Sequence, residues 1–479
     1  MSSFFLAIKK SKIGLNWLIW MLCVQLLLAP LFPGTAASFG KFGLSDEMEL
    51  GRKFSIMIKS RLPLVEDPEI KGYIEEITQR LIKTAPPQPY KFDVNVLRSD
   101  SINAFCSPGG HLFVFTGLIL SMNNESELAG VMAHELAHAT QRHIATRIER
   151  SQIIGLASTL LALGGMFMGG DARGATMAGA LAGGQTAMLN YSRQDETEAD
   201  QIGLNYLIGA GYSPEGLPDA FEVIRRDQRL TSSGIPTYMS THPDVVSRIS
   251  DMSARIQGMG DKVKNRKEDN AKFIRIQTLV RAKYSDPNQA LRFFELDKKN
   301  PAYLNVLGKA ILYARLNKVA EASKAFDEAI KIGSHEPLVW REAGIFQYRK
   351  GGGANSSQKA AEYLGKAVQM KRDDYLARFY NALILGETGN FLGAQEQFKE
   401  VLRYLPEDDE VHFAYGRLLG QAGYNFDAYL HLAYSSLYSN NKQQTKANKE
   451  KAESFAKTPA QQLELEKFEA KYKEREEFW

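Results

Sequence analysis

The sequence predicts a mainly α-helical chain of the α+β class, in which a helical domain with a small β-sheet is followed by an α-solenoid. Two observations lead to this fold class. Apolar residues follow a helical period around one strand-like insert over 38–257, and a spacing of 34 residues recurs after residue 271. The polar, charged stretch at 258–270 is typical of a linker. The length of 479 residues leaves room for about three domains.

The composition limits the class of protein. Hydrophobic residues make up 44% of the chain and charged residues 24%, which excludes a disordered, collagen-like or multi-span membrane protein. The net charge is +4 and falls to +1 without Lys9, Lys10 and Lys12, so the sequence lacks the basic face of a nucleic-acid-binding protein. The two cysteines, Cys23 and Cys106, are too few for a disulfide framework.

The N-terminal segment 1–37 is typical of a secretory signal peptide. A basic stretch at 9–12 precedes an apolar run at 13–32, and a Pro-Gly pair then ends the run. The small residues at 35–37 suit signal peptidase. The alternative is an N-terminal membrane anchor, because the run approaches the ~20 residues that a membrane span needs. Both interpretations predict that the rest of the chain is exported.

A helix in the first domain carries a metal-binding pattern. Residues 125–146 read ESELAGVMAHELAHATQRHIAT and have the apolar spacing of a helix. At about 100° per residue, His134 and His138 lie about 40° apart on one face, where two imidazoles can bind one tetrahedral zinc ion. Glu135 lies beside the metal and can take a proton from the attacking water. This pattern also occurs by chance, so a zinc site requires a third ligand.

A second helix supplies the candidate for that ligand. It opens in the segment NYSRQDETEAD at 190–200, where Glu196 and Asp200 are four residues apart and face the same side. Glu196 is predicted to be the third zinc ligand. Asp200 is predicted to accept the distal N–H of a zinc-bound histidine and so to orient it.

Three neighbouring polar residues are predicted to have no direct role at the metal. His143 lies about 180° around the first helix from His134, so we expect it to face away from the metal and to be structural. Asp195 and Glu198 are predicted to stabilise the second helix as acids near its N-terminus.

The last third of the chain repeats with a period of 34 residues. Pairs at this spacing are Gly389 and Gly423, Ala394 and Ala428, and Phe398 and Leu432. The interval from Ala322 to Ala360 is 38 residues, and its surplus of four fits a loop at 351–357. The pattern resembles the tetratricopeptide repeat over 271–442, a solenoid that offers a concave protein-binding surface and no chemistry of its own. Residues 443–479 are predicted to form capping helices.

The combined motifs resemble the zinc metallopeptidase family that includes the prenyl-protein proteases and the HtpX heat-shock proteases. The resemblance rests on HExxH at 134–138 together with SRxxExxAD at 192–200. The segments SDEMELG at 45–51 and NAFCSPGGHLFV at 103–114 are similar to the family's opening helix and to its strand pair beside the active-site helix. The resemblance implies a gluzincin-type helical metalloprotease domain over 38–257 that holds one Zn²⁺ per chain.

An exported chain with such repeats, and without the multi-span body of the family's membrane members, resembles the periplasmic branch of the family. That branch implies quality control of outer-membrane β-barrels in Gram-negative bacteria. We therefore expect a periplasmic, zinc-dependent endopeptidase that degrades misfolded or unassembled envelope proteins, with repeats that bind the barrel-assembly machinery. The alternative is a chaperone or scaffold whose repeats bind that machinery, with proteolysis secondary.

Two segments predict how a substrate reaches the site. Asn103, Ala104 and Phe105 belong to a strand that is expected to pair with an extended substrate, such as an unfolded or unassembled chain. Residues 151–189 are rich in Gly, Ala and Met and are predicted to form a loosely packed helical hairpin that acts as a lid or touches a membrane surface. Cys106 is predicted to be a small buried residue rather than a nucleophile, with a fourth zinc ligand as the minor alternative.

One further histidine, His242, follows a loop rich in Ser, Thr and Gly. A lone histidine in a loop is usually solvated and without function. The family resemblance implies two other roles for His242: it occupies the open position of the zinc and holds the enzyme inactive, or it steadies the oxyanion during turnover. The sequence leaves these three roles open.

Overall fold

The computed structural model describes residues 42–151, 160, 163, 191–230, 237–351, 354–476 and 478–479. The predicted signal at 1–37 and almost all of 151–189 lie outside the described residues, so the predictions made for them stay predictions. Glu47–Trp479 form one compact unit. Within the described ranges, no helix is both long enough and apolar enough to cross a bilayer.

The first domain packs helices on a small β-sheet, which confirms the predicted fold class. Its described elements, in chain order, are α1 (Leu44–Arg61), α2 (Pro68–Ile82), β1 (Asp93–Leu97), β2 (Ala104–Ser107), β3 (His111–Phe115), α3 (Thr116–Ser121), α4 (Glu125–Thr140), α5 (His143–Ser151), α6 (Arg193–Gly209), α7 (Gly216–Leu230), α8 (Thr237–Thr241) and α9 (Val245–Gln257). The short helix α10 (Asp261–Lys264) lies in the predicted linker.

The sheet has β3 at its centre, with β1 parallel to it on one side and β2 antiparallel to it on the other. The register pairs Asp93 with His111 and Ala104 with Val114. The turn between β2 and β3 needs Gly109 and Gly110, because both have a positive φ, of 75° and 82°. The strand pair predicted at 103–114 is therefore confirmed.

Helix α4 is the buried centre of the first domain and packs against α6, α7 and β2. Two glycines allow its neighbours to approach closely. A Cβ on Gly130 would lie 2.7 Å from the Cα of Leu217 in α7, and a Cβ on Gly203 of α6 would lie 3.0 Å from the Cα of His134. The second approach fixes α6 beside the part of α4 that carries the predicted ligands.

The rest of the chain forms successive helices joined by short turns, in which neighbours pack in pairs. These helices are α11 (Ala271–Tyr284), α12 (Pro287–Leu296), α13 (Ala302–Arg315), α14 (Val319–Gly333), α15 (Pro337–Arg349), α16 (Ala354–Met370), α17 (Tyr375–Glu387), α18 (Phe391–Tyr404), α19 (Asp409–Gln421), α20 (Asn425–Tyr438), α21 (Lys442–Phe455) and α22 (Pro459–Glu476).

The side chains that repeat at the 34-residue period face the interior of the solenoid. The small and aromatic residues at these positions are buried: Ala322, Phe326, Ala329, Ala360, Leu364, Ala394 and Phe398. The loop predicted at 351–357 is shorter than expected, because α16 already begins at Ala354. Most of the four surplus residues therefore lengthen this helix by about one turn. At the C-terminus, Leu465 and Phe468 of α22 pack in one core with Phe426 of α20.

The repeats share a core with the first domain. Phe273, Ile276 and Leu279 of α11 are buried in the same hydrophobic cluster as the residues of α2, α3 and α4. This shared core means that 258–270 connects two parts of one packed unit, although the predicted limits of the domains stay predictions.

Buried charges join the same two parts. Nζ of Lys283 lies 2.7 Å from carboxylate oxygens of Asp67 and Glu342, and Arg341 contacts Glu69 at the start of α2. Arg341 is fully enclosed, and a buried charge is tolerated only when it is paired in this way. The position of the repeats on the first domain is thus specified by charge as well as by apolar packing.

Candidate metal centre

Helix α4 places three of the predicted site residues together. Its N-cap, Asn124, accepts a hydrogen bond of 2.8 Å from the backbone N–H of Glu127, so the helix begins well before the pattern HExxH. The Nε2 atoms of His134 and His138 lie 3.0 Å apart, on one face as the spacing predicts. Burial lowers the pKa of His138, so its imidazole is in the neutral form that binds zinc.

Helix α6 brings the third predicted ligand to the same point. Ser192 and Asp195 form a capping box at its start, which places Glu196 in the first turn. Its two carboxylate oxygens lie 3.5 Å from Nε2 of His134 and 3.4 Å from Nε2 of His138. Burial raises the pKa of Glu196, but His242 and Arg248 outweigh it and hold this pKa well below its usual value, so the carboxylate is ionised.

His242 is the fourth donor of the cluster. Its Nδ1 lies 3.0 Å from Oε1 of Glu196 and 3.4 Å from Nε2 of His134. Its ring is stacked on Tyr238, with centroids 4.4 Å apart, and is 0% exposed. His242 is therefore not a solvated loop residue, and it lies where either of the two other roles requires it, beside the predicted ligands.

The four donors fit a zinc ion. Suitable atoms of His134, His138, Glu196 and His242 all lie within 4.8 Å of one another. Around a tetrahedral zinc ion with bonds of about 2.0–2.2 Å, donor atoms are about 3.3–3.6 Å apart, close to the separations observed here. Imidazole and carboxylate groups are also the ligand types that zinc prefers.

Glu135 lies beside these donors rather than among them. It is fully buried, and neither of its carboxylate oxygens makes a hydrogen bond within the described part of the chain. Its Oε1 lies 3.4 Å from Nε2 of His242. Burial raises the pKa of Glu135, while His242 and His134 counteract this, so the carboxyl group is adapted to exchange a proton.

A buried arginine, Arg248 of α9, holds the predicted orienting residue in place. Asp200 has Oδ1 3.0 Å from Nδ1 of His134, as predicted for a residue that orients a ligand. Arg248 donates two hydrogen bonds of 2.7 Å to Asp200, and it also contacts Glu196 and the backbone carbonyl of Pro243. Arg248 could not be predicted from the sequence, because one arginine on an amphipathic helix gives no indication of which residues it contacts in the fold.

His143 does not face away from the site, contrary to our expectation. Its Nδ1 lies 2.8 Å from Nδ1 of His138. The rotation of 180° assumed one continuous helix, whereas α4 ends at Thr140 and Arg142 has a left-handed backbone with φ of 55°. The chain therefore turns back, and a new helix begins at His143. Glu198 was also expected only to stabilise its helix, but its Oε2 lies 3.4 Å from Nε2 of His143.

The predicted substrate strand lies beside the metal helix, and its side chains are enclosed. β2 is an edge strand of the sheet and packs against α4. Asn103, Ala104 and Phe105 are at most 2% exposed, so a role in binding an extended substrate stays a prediction that would act through the backbone. Cys106 is buried too, and burial raises the pKa of its thiol well above the usual value, which opposes a role as a nucleophile.

The family model described as peptidase family M48 matches residues 68–256, which contain every residue of the metal centre. The chain belongs to peptidase family M48. The beta-barrel assembly-enhancing protease of Escherichia coli (strain K12) is 31% identical to it over 331 residues, which cover 67% of this chain and 66% of that protein. This M48 chain thus spans just under two thirds of the length of that relative.

Two further similarities are weaker. The mitochondrial metalloendopeptidase OMA1 of Arabidopsis thaliana is 34% identical over 155 residues, which cover 32% of this M48 chain and 29% of that protein. The solved structure of YrrB, a TPR protein with an unusual peptide-binding site, covers 38% of this chain and 92% of its own, with 19% identity and a TM-score of 0.29. A TM-score of 0.29 is too low to support any conclusion about the fold, and the helix pairs are described from the structure of this chain alone.

Proposed function

We propose that this M48 protein is an exported, periplasmic zinc endopeptidase that cleaves misfolded or unassembled envelope proteins, outer-membrane β-barrel proteins in particular. The observation that carries the proposal is the buried set of His134, His138 and Glu196 with the buried carboxylate of Glu135 beside it. The name of the Escherichia coli relative, a beta-barrel assembly-enhancing protease, supports the choice of substrate class.

Each residue of the metal centre has a separate role in the proposed hydrolysis. His134, His138 and Glu196 would hold one Zn²⁺ per chain, and a bound zinc ion polarises the scissile carbonyl and lowers the pKa of water. Glu135 takes a proton from the attacking water and passes it to the leaving amine. Asp200, itself held by Arg248, keeps the ring of His134 in the orientation in which Nε2 faces the centre.

His242 regulates access to the centre in this proposal. A structural zinc site is closed by four protein ligands, whereas a catalytic site keeps one position open. With His242 among the donors, the arrangement is closed, so the described conformation corresponds to a resting enzyme. Turnover then requires that the segment carrying His242 moves away from Glu196.

The substrate and partners follow from the rest of the chain. β2 is an edge strand of the described sheet and lies beside α4, which suits an extended polypeptide and favours unfolded or unassembled chains. The repeats over 271–442 would recruit the barrel-assembly machinery through their concave surface. Peripheral contact with a membrane through 151–189 remains part of the proposal.

A second function, a chaperone or scaffold with proteolysis secondary, is favoured by one observation. The donor atom of His242 lies 3.0 Å from the Glu196 carboxylate, so the centre is closed as described. A protein that binds barrel proteins and cleaves them only rarely would have this arrangement in most of its molecules.

Digestion of an unfolded outer-membrane β-barrel polypeptide by the full-length protein tests the two functions. We expect cleavage that a chelator abolishes and that added zinc restores, faster in His242→Ala than in the wild type. Cleavage that is insensitive to the chelator would contradict a zinc enzyme. Suppressed aggregation of the polypeptide without cleavage by either form would favour the chaperone instead.

A further inference from the structure

The two predicted histidine ligands contact different partners through Nδ1, on the side of the ring opposite to the donor cluster. Nδ1 of His134 faces Asp200, and Arg248 in turn fixes Asp200. Nδ1 of His138 faces a second imidazole, that of His143, at 2.8 Å. Each of the two histidines therefore has a polar partner on the side opposite to the donor cluster.

The position of His143 is fixed by the turn that precedes it. Arg142, with its left-handed backbone, donates a hydrogen bond of 2.6 Å from Nε to the buried carboxylate of Glu47. Arg147, one turn further along α5, pairs with Asp195 at the start of α6. The start of α5 is thus attached to both α1 and α6, and His143 is buried.

The direction of the hydrogen bonds follows from metal binding. When Nε2 of His138 binds zinc, its lone pair is used there, so the ring proton is on Nδ1. Nδ1 of His143 then has to accept that hydrogen bond, which places the proton of His143 on Nε2. This nitrogen lies 3.4 Å from Oε2 of Glu198, which accepts its hydrogen bond.

We propose that His143 and Glu198 are positioning residues that hold His138 in the ring orientation and tautomer needed to bind zinc. The inference rests on the zinc site of the proposed function but not on peptidase activity. Tyr191 completes the arrangement, since its ring is stacked on His138 with centroids 3.8 Å apart. His138 is thereby held at its Nδ1 edge by His143 and on one face by Tyr191.

Helix α6 then serves both histidine ligands. Glu196 joins them as a ligand, Asp200 supports His134, and Glu198 supports His138 through His143. The three acids lie within five residues of one helix, so a shift of α6 would disturb all three at once.

Zinc affinity, measured by competition with a chromophoric chelator, tests the proposal on full-length protein. His143→Leu removes the acceptor and should weaken zinc binding about 10–100-fold, the usual effect of losing such a partner. His143→Asn is the matched variant, because Asn has nearly the shape of Leu but places an acceptor oxygen near the position of Nδ1. We expect His143→Asn to bind zinc nearly as tightly as the wild type.

Glu198→Gln retains an acceptor and should weaken zinc binding less than His143→Leu does. The exposed Glu149 of the same helix as His143 provides the control, and Glu149→Gln should leave zinc affinity unchanged. Equal zinc affinity of His143→Leu and the wild type would overturn the inference, and so would a His143→Asn protein that binds as weakly as His143→Leu. Wild-type protein that binds no zinc would overturn the metal centre itself, which separates the two failures.

A measurement without substitution covers the case in which His143→Leu does not fold. The chain has eight histidines, so selective ¹⁵N labelling of histidine gives a small set of ring signals. In zinc-loaded wild-type protein, His138 should carry its proton on Nδ1 and His143 should be neutral with its proton on Nε2. A proton on Nδ1 of a neutral His143 would contradict the proposed direction.

Discussion

Replacing Arg248 with methionine tests the electrostatics of the metal centre. Arg248 is 5% exposed and pairs with Asp200 through two hydrogen bonds of 2.7 Å, besides its contact with Glu196. Arg248→Met leaves two buried carboxylates without their cation, and breaking a buried ion pair from one side costs about 3–5 kcal/mol. Since 1.36 kcal/mol corresponds to a factor of ten, the unfolding equilibrium should change by about two to four orders of magnitude.

Urea denaturation of the zinc-free protein measures this loss directly. Arg255 lies on the same helix, is exposed and bonds only to Asn205 among the contacts described, so Arg255→Met is the matched control. A surface change of this kind should stay within about 0.5 kcal/mol. The deficit of Arg248→Met should shrink between pH 7 and pH 5, because protonation of the uncompensated carboxylates removes the buried charge. An Arg248→Met protein as stable as Arg255→Met would refute this reasoning.

Three further outcomes are expected. His242→Ala should cleave casein faster than the wild type if His242 closes the centre, whereas a loss of about 10²–10³ in kcat would assign it to the oxyanion instead. A chain that ends at residue 270 lacks α11, so its thermal midpoint should fall well below that of the full chain, and an unchanged midpoint would contradict the shared core. Glu66 is an exposed residue of the connection between α1 and α2, where partial desolvation and the carboxylates of Asp409, Asp408 and Glu410 raise its pKa to about 7. The ionised side chain of Glu66 therefore destabilises the folded state above about pH 7, and this destabilisation is lost as the pH falls. Glu66→Gln should raise the thermal midpoint more at pH 8 than at pH 5. A larger rise at pH 5 would contradict this prediction.

The residue pairs that the sequence places on one face lie four apart on single helices. His134 with His138, and Glu196 with Asp200, share a face because of helical geometry alone, so their spacing is enough to place each pair. The repeat period is equally local, since each unit packs on its neighbours in sequence. Both kinds of pattern can therefore be recognised without knowledge of the tertiary structure.

The contacts that the sequence could not predict depend on where a helix ends or on which distant segment packs against it. The angle calculated for His143 was wrong because α4 stops at Thr140, a boundary that no strong breaker marks in the sequence. Arg248 meets Asp200 across 48 positions, and Lys283 meets Asp67 across 216. The residues that neighbour these positions in sequence give no sign of such contacts, so the sequence alone could not predict the packing of the repeats on the first domain.

The most direct measurement is the zinc content per chain of purified wild-type protein, Glu135→Gln and His138→Ala, together with casein cleavage by each. The metal centre predicts one zinc per chain in wild type and in Glu135→Gln, much less in His138→Ala, and cleavage by the wild type alone. Full activity of Glu135→Gln, or equal zinc in His138→Ala and the wild type, would contradict it.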